Sequence, residues 1–419
     1  MEKGNSELFL ASSACRCEML IRMLNRGIFF LITSLVGILM WVNTARNGPD
    51  FTVYWKSVRL MMEGEPLYSV ARDGIMVFKY PPWIAPFFIP FSLISFDAAR
   101  IAWGALEFVS LFAVTGWLIR KMQVSSWVAS FAMLTFLGIW QVHAFNGQVS
   151  LPIAALSVWL FEASEFNEAT ASKGCVHSLS GKAGLFLTLS TKIVSLFPLL
   201  GYWRGYLKPR VILLCTAILI GLSQPVFMFS KENWKEVLRA WISAMGPGVN
   251  PVTGEPLITV RGREAQGLVS GLFRVFNLPY NASVLIAIST VVLAAVLAWF
   301  WTRHSKQLDS REQFAGWLAL GVTVQPLAGF HAFAMAFPLA VIALDRAWKS
   351  RNRVMIALSI SGVLSVAAIT HKTTGAFGAA LEVISIKSIG VLILCWVLVT
   401  ATQNALPAPQ PTLSGRFSA

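Results

Sequence analysis

"GIFFLITSLVGILMWVNTARNGPDFTVYWKSVRLMMEGEPLY", residues 27–68, sets two kinds of sequence side by side. Residues 27–44 form an apolar run of the length that crosses a bilayer as one helix. An aspartate follows at position 50. Then Phe51, Tyr54, Trp55, Val58, Met61 and Met62 recur at helical spacing, with Thr52, Lys56, Arg59 and Glu63 opposite and Gly64 as the stop. An aromatic stripe of this kind predicts a helix lying in the membrane interface. The chain is expected to cross the membrane and then lie down on its surface.

The rest of the 419 residues extends that expectation. The chain is 56% hydrophobic and only 13% charged, against about 25% charged residues in soluble domains, so it is an integral membrane protein. Sixteen Trp and 29 Phe suit aromatic belts at two interfaces. A net charge of +14 does not point to nucleic acid, because the basic residues lie in short runs between apolar segments. Cys15 and Cys17 have no matching pair and read as free cytosolic thiols. Lys3, Arg16, Arg22 and Arg26 precede the first span, which reads as a retained helix for want of a clear small-residue cleavage site.

Ten segments are expected to cross: 27–44, 97–119, 124–142, 147–163, 209–229, 281–302, 313–329, 330–346, 353–370 and 378–402. With the N-terminus inside, Arg120-Lys121, Lys173 with Lys182, "RHSKQLDSRE" at 303–312 and "DRAWKSRNR" at 345–353 all fall inside. Residues 181–203, "GKAGLFLTLSTKIVSLFPLLGYW", resist the alternation. A single crossing would carry "WRGYLKPR" outside and leave Lys192 mid-bilayer, at roughly 2.5–3.5 kcal/mol on insertion scales. A broken or re-entrant element returning to the cytoplasm is expected, as irregular backbone is tolerated where it lines a cavity. Five loops then share the outer face: 45–96, 143–148, 230–280, the turn near His331, and 371–377.

The motifs gather in those loops. Asp50 is either an N-cap for the helix beginning at Phe51 or a general base within reach of a substrate hydroxyl. "FKYPPW" at 78–83 excludes a regular helix at Pro-Pro, and is either a loop anchor or a cavity rim where Lys79 binds phosphate beside Tyr80. "HAFNGQVSLP" at 143–152 is a tight hairpin whose Asn146 and Gln148 amides can also hydrogen-bond sugar hydroxyls. Lys192 is a functional intramembrane cation or an internally paired one. In "RGREAQGLVSGLF" at 261–273, Arg261 and Arg263 suit phosphate or anionic headgroups, and Gln266 opens a helix. "QPLAGFHAF" at 325–333 exposes His331 at the outer end, and 233–245 is a second amphipathic helix with Trp234, Val237, Leu238 and Trp241 on one face. The five aspartates, at 50, 73, 97, 309 and 345, form no D-x-D, which speaks against a metal-bound nucleotide sugar. No glycine-rich phosphate loop precedes a helix.

These residues resemble glycosyltransferase family 87, the polyprenol-phosphate-mannose-dependent mannosyltransferases of the GT-C fold. The resemblance covers roughly residues 45–345 and is carried by Asp50, Phe51, Tyr54, Gly64, Pro66, Tyr68, Phe78, Tyr80, Pro81 and Pro82, then by Gly147, Gln148, Lys192, Gln266 and His331. Two elements depart from the family pattern: "AQG" replaces N-Q-S, and the late histidine turn keeps one clear histidine. The resemblance implies an all-α polytopic GT-C bundle over residues 1–403, with outer loops 45–96 and 230–280, and a disordered cytoplasmic tail at 404–419. It implies transfer of a hexose, mannose by analogy, from a polyprenyl-phosphate donor to a glycolipid or glycan acceptor, with inversion and with Asp50 as base. Lys79, Tyr80, Gln148, Lys192, Arg261, Arg263, Gln266 and His331 would bind donor phosphate or sugar. No cofactor is expected and no residue is assigned as a metal ligand, the metal requirement staying open; the partners are donor, acceptor and membrane lipids, not nucleic acid. The expected location is a bacterial inner membrane, with the site on the periplasmic side. Two alternatives stay open: a transporter or flippase with Lys192 at a midplane site, and a non-catalytic subunit in which Asp50 only caps a helix.

Overall fold

The computed structural model describes residues 2–169, 182, 185, 186, 188, 209–244, 261–279 and 283–405. Among them every regular element is helical, as a chain in lipid requires when each segment must satisfy its own backbone. The principal helices are α1 (Glu2–Arg46), α2 (Pro49–Met62), α3 (Phe96–Arg120), α4 (Ser126–Thr135), α5 (Leu137–Asn146), α6 (Ser150–Ala169), α7 (Pro209–Ser230) and α8 (Trp234–Ala244). They continue as α9 (Leu268–Val275), α10 (Ser283–His304), α11 (Ser310–Val324), α12 (Phe337–Lys349), α13 (Arg353–Ala367), α14 (His371–Val383) and α15 (Ile386–Ala405). Six helices are long and apolar enough to cross a membrane, and two bent pairs, α4 with α5 and α13 with α14, add up to two more. This is an all-α polytopic membrane protein.

Three boundaries differ from expectation. The segment 124–142 is two helices bent by 58°. The last crossing begins at Ile386, not at 378, because residues 371–383 form α14, turned 106° from α13. Thr370 starts α14 with a capping box, and Ser385 ends the turn at φ 57°. The expected outer loop 371–377 is therefore helical. The first helix also runs back to Glu2, well before residue 27.

Packing explains how the spans sit together. α1 and α3 approach through reciprocal small residues: Gly37 faces the Phe108 ring, Gly104 faces Trp41, and Trp41 Nε1 donates to Ile101 O at 2.9 Å. Small residues are how helices come close in lipid, where apolar burial alone gives little drive. α11 and α12 form the centre, with Phe314 stacked on Phe161 at 4.3 Å and Phe337 edge-on to Trp140 at 5.1 Å. α10 instead turns most of its apolar surface outward.

One end of the bundle is closed by ion pairs. Buried Asp345 accepts from Ser125 N at 2.8 Å and pairs with Lys349 at 2.6 Å, while Arg346 reaches Glu312 at 2.6 Å and Arg311 grips Glu162. The opposite end carries α2, α8 and the turns after α5 and α11. α7 reaches that end at Phe229, beside Gly64, so α6 finishes and α7 begins at the ion-paired end. The expected re-entrant element at 181–203, with Lys192, lies largely outside the described residues. So does the expected tail beyond Ala405.

Candidate active site

The site is built around the start of α2. Gly48 sits ahead of the helix at φ 71° and donates its N–H to Phe145 O at 2.9 Å. Pro49 takes the first helical position, where its fixed φ fits and its missing N–H leaves nothing unpaired. Asp50 is thus inside the first turn, and the cap position belongs to Gly48. Its carboxylate lies where the helix dipole favours negative charge. The Gln148 side-chain amide, 98 residues away, donates to Asp50 Oδ2.

Local geometry makes that meeting possible. Gly147 ends α5 at φ 66°, and a Cβ there would stand 2.9 Å from Phe51 Cβ. Only glycine allows the hairpin turn to rest on α2 in this conformation. Trp103 Nε1 holds Gly147 O at 3.2 Å, and its ring stacks on Phe51 at 5.3 Å.

The "FKYPPW" segment closes the other side. Pro81 is extended (φ −58°, ψ 154°), and a 3-10 helix follows over Pro82–Phe88. The Tyr54 and Tyr80 hydroxyls meet at 3.0 Å, and Tyr68 OH donates to Tyr80 O at 2.7 Å. Burial raises the pKa of both Tyr54 and Tyr80, and the Asp50 carboxylate pushes the same way, so both stay protonated. Trp241 of α8 donates to Lys79 O at 3.1 Å and packs against Trp83. Desolvation lowers the Lys79 pKa, with Asp50 opposing it. Asp50, Gln148, Lys79 and the Tyr54–Tyr80 pair thus share one neighbourhood. A carboxylate, an ammonium and neutral donors there can take a proton, hold an anion and orient hydroxyls.

The remaining expected residues form a second group. Gln266 is fully buried, and its amide donates to Arg263 O at 2.7 Å and Glu382 O at 3.2 Å, so it fastens the 261–267 turn. Arg274 donates to several oxygens, among them Gly262 O and Ala265 O at 2.7 Å and Ser385 Oγ at 2.7 Å. Arg261 pairs with Asn277, and Arg261 and Arg263 both stay exposed. Gln266 N bonds Ala328 O at 2.8 Å, joining this turn to the one that leads to half-buried His331. The helix carrying His331, Phe330–Ala336, packs on α5.

Residues 78–328, more than half of the chain, match glycosyltransferase family 87. The chain belongs to glycosyltransferase family 87. No curated protein and no solved structure matches it. The matched stretch is narrower than the expected 45–345. It takes in Lys79, Tyr80, Gln148 and Gln266, and leaves Asp50 and His331 on its flanks. Membership in family 87 makes the protein a membrane glycosyltransferase and removes the ground for the transporter alternative.

Two polar clusters in this glycosyltransferase escaped the sequence reading. Glu107, Thr44 and His143 are fully buried together between α3, α1 and α5. Lys387, also fully buried, donates to Val366 O at 2.7 Å and lies 4.8 Å over the Phe330 ring, while Glu382 pairs with His371 at 2.9 Å. An ionisable residue within an apolar span was the available signal for both. The second amphipathic helix also differs in detail: Val237 and Trp241 are buried, but Trp234 is exposed.

Proposed function

We propose that this family 87 protein transfers a hexose, mannose on the resemblance, from a polyprenyl-phosphate donor to a lipid or glycan acceptor at the outer membrane face. The observation that carries the reading is the Asp50 carboxylate held by Gln148 next to Lys79 and the Tyr54–Tyr80 pair. The acceptor hydroxyl oxygen attacks the anomeric carbon from the side opposite the phosphate. As that C–O bond forms, the hydroxyl proton passes to Asp50. The bond to the phosphate oxygen breaks, its electron pair leaves with the lipid phosphate, and the anomeric configuration inverts. The Gln148 amide fixes Asp50 Oδ2. Lys79, with Arg261, Arg263, Lys192 and His331 as further candidates, stabilises the developing phosphate charge. Tyr80 and Tyr54 hydrogen-bond the sugar. A prenyl tail stays in the bilayer during transfer, which suits a site where an interfacial helix meets the ends of spans.

The test uses membranes holding equal amounts of wild type or Asp50→Asn, given radiolabelled polyprenyl-phosphate mannose and native lipid extract. Wild type is expected to move label into an acceptor, and Asp50→Asn to lose about 10²- to 10⁴-fold in rate, the range for a general base. Equal rates would remove Asp50 from the chemistry. Transfer from another hexosyl donor alone would replace mannose.

A further inference from the structure

Beneath the Asp50–Gln148 contact lies a buried polar cluster. Glu107, Thr44 and His143 are each fully buried. Glu107 Oε2 lies 2.5 Å from the Thr44 hydroxyl, and that hydroxyl lies 2.9 Å from Ala144 O. The other oxygen of Glu107 is 3.4 Å from His143 Nε2. Placing such groups among apolar spans is costly unless they find polar partners. The hydrogen-bonded part of the cluster is the chain Glu107–Thr44–Ala144 O, and such a chain fixes the arrangement of the helices that carry it.

What this network fixes is the end of α5. The last carbonyls of a helix have no partner within it, and here other elements supply the donors. Asn43 Nδ2 reaches Gln141 O at 3.2 Å, Thr44 serves Ala144 O, Gly48 N serves Phe145 O, and Trp103 serves Gly147 O. Gln148 N closes the turn on His143 O at 3.2 Å, and His143 carries the imidazole beside Glu107. Hydrogen bonds therefore run from Glu107 through Thr44 to Ala144 O, beside His143, whose own carbonyl holds Gln148 N, and the Gln148 side-chain amide reaches Asp50.

We propose that Glu107 is a positioning residue for glycosyl transfer: through Thr44 and His143 it sets the last turn of α5, and so aims Gln148 at the Asp50 carboxylate. The proposal rests on Asp50 acting as the base. The path from carboxyl to hydroxyl to carbonyl needs hydrogen bonding at Glu107 rather than charge, and a glutamine amide can supply it.

Two readouts test this on the full-length protein: transfer kinetics, and amide hydrogen exchange over residues 143–150. Glu107→Ala is expected to lower kcat by about 10- to 100-fold, the scale of a small misplacement, with donor KM within about threefold. Exchange at 143–150 should rise at least about tenfold in the same variant. Glu107→Gln should restore both to near wild type. Thr44→Val, which removes only the hydroxyl, should repeat the Glu107→Ala pattern and serves if that variant is not recovered folded. Unchanged exchange in Glu107→Ala and Thr44→Val would overturn the anchoring. Raised exchange with wild-type kcat would overturn the catalytic role, and Glu107→Gln as impaired as Glu107→Ala would overturn hydrogen bonding as its basis. Wild-type rates in Asp50→Asn would instead overturn the base assignment, and with it the purpose of the positioning.

Discussion

At the scale of the residue, Asp50 and Lys79 define one another. Partial desolvation draws the solvent-exposed Lys79 ammonium toward neutrality, while the Asp50 carboxylate holds its proton on. With desolvation the larger effect, Lys79 loses its charge below the ordinary lysine value of about 10.4. If the ammonium stabilises the leaving phosphate, transfer declines as pH rises through that lowered value. Lys79→Arg keeps its charge throughout and should carry activity further into alkaline pH, as rate profiles from about pH 7 to 10.5 would register. Superimposable alkaline limbs would remove Lys79 from the phosphate. Asp50 and Lys79 were both visible in the sequence as candidates. Their shared environment was not, because the meeting depends on how "FKYPPW" folds over α2.

At the scale of the element, the turn Gly147-Gln148 and the start of α2 form one unit. Gly147 is held at φ 66° with Phe51 Cβ 2.9 Å from where a side chain would begin. Gly147→Ala combines left-handed strain of order 1–3 kcal/mol with that clash. It should lower thermal stability and transfer together. Gly116→Ala, inside a helix where nothing lies within 4 Å, should leave transfer unchanged and stability the same or slightly higher. Thermal unfolding in detergent and the labelled-donor assay would separate the pair. Hydropathy placed most spans well but missed two bends, α4–α5 and α13–α14, since apolar periodicity carries no information about the direction of a helix axis. The Asp50 cap was misplaced for a local reason: Gly-Pro ahead of the aspartate moves the helix start back to Pro49.

At the scale of the whole molecule, the two ends of the bundle are chemically distinct. One gathers Glu162–Arg311, Glu312–Arg346 and Asp345–Lys349; the other holds α2, α8 and the site. We propose, on the positive-inside rule, that the ion-paired end is cytoplasmic. With the native cysteines replaced, Glu63→Cys should react with a membrane-impermeant maleimide from outside the cell. Arg351→Cys should react only after permeabilisation; both positions are exposed. The reverse pattern would turn the site to the cytoplasm.

The sequence by itself determined the class: a chain 56% hydrophobic and 13% charged, with spans of bilayer length and an aromatic stripe at 51–62, reads as a helical membrane protein with an amphipathic helix after its first span. It also offered Asp50, Lys79, Tyr80 and Gln148, because polar residues between apolar runs stand out. Only the tertiary structure decided which of them meet. Gln148 reaches Asp50 across 98 positions, Thr44 reaches Ala144 across 100, and Gln266 is spent on fastening its own turn to Glu382 across 116. Composition and periodicity are sums over neighbours along the chain, whereas these contacts depend on how close glycines let two helices come and on which carbonyls their ends leave to be filled.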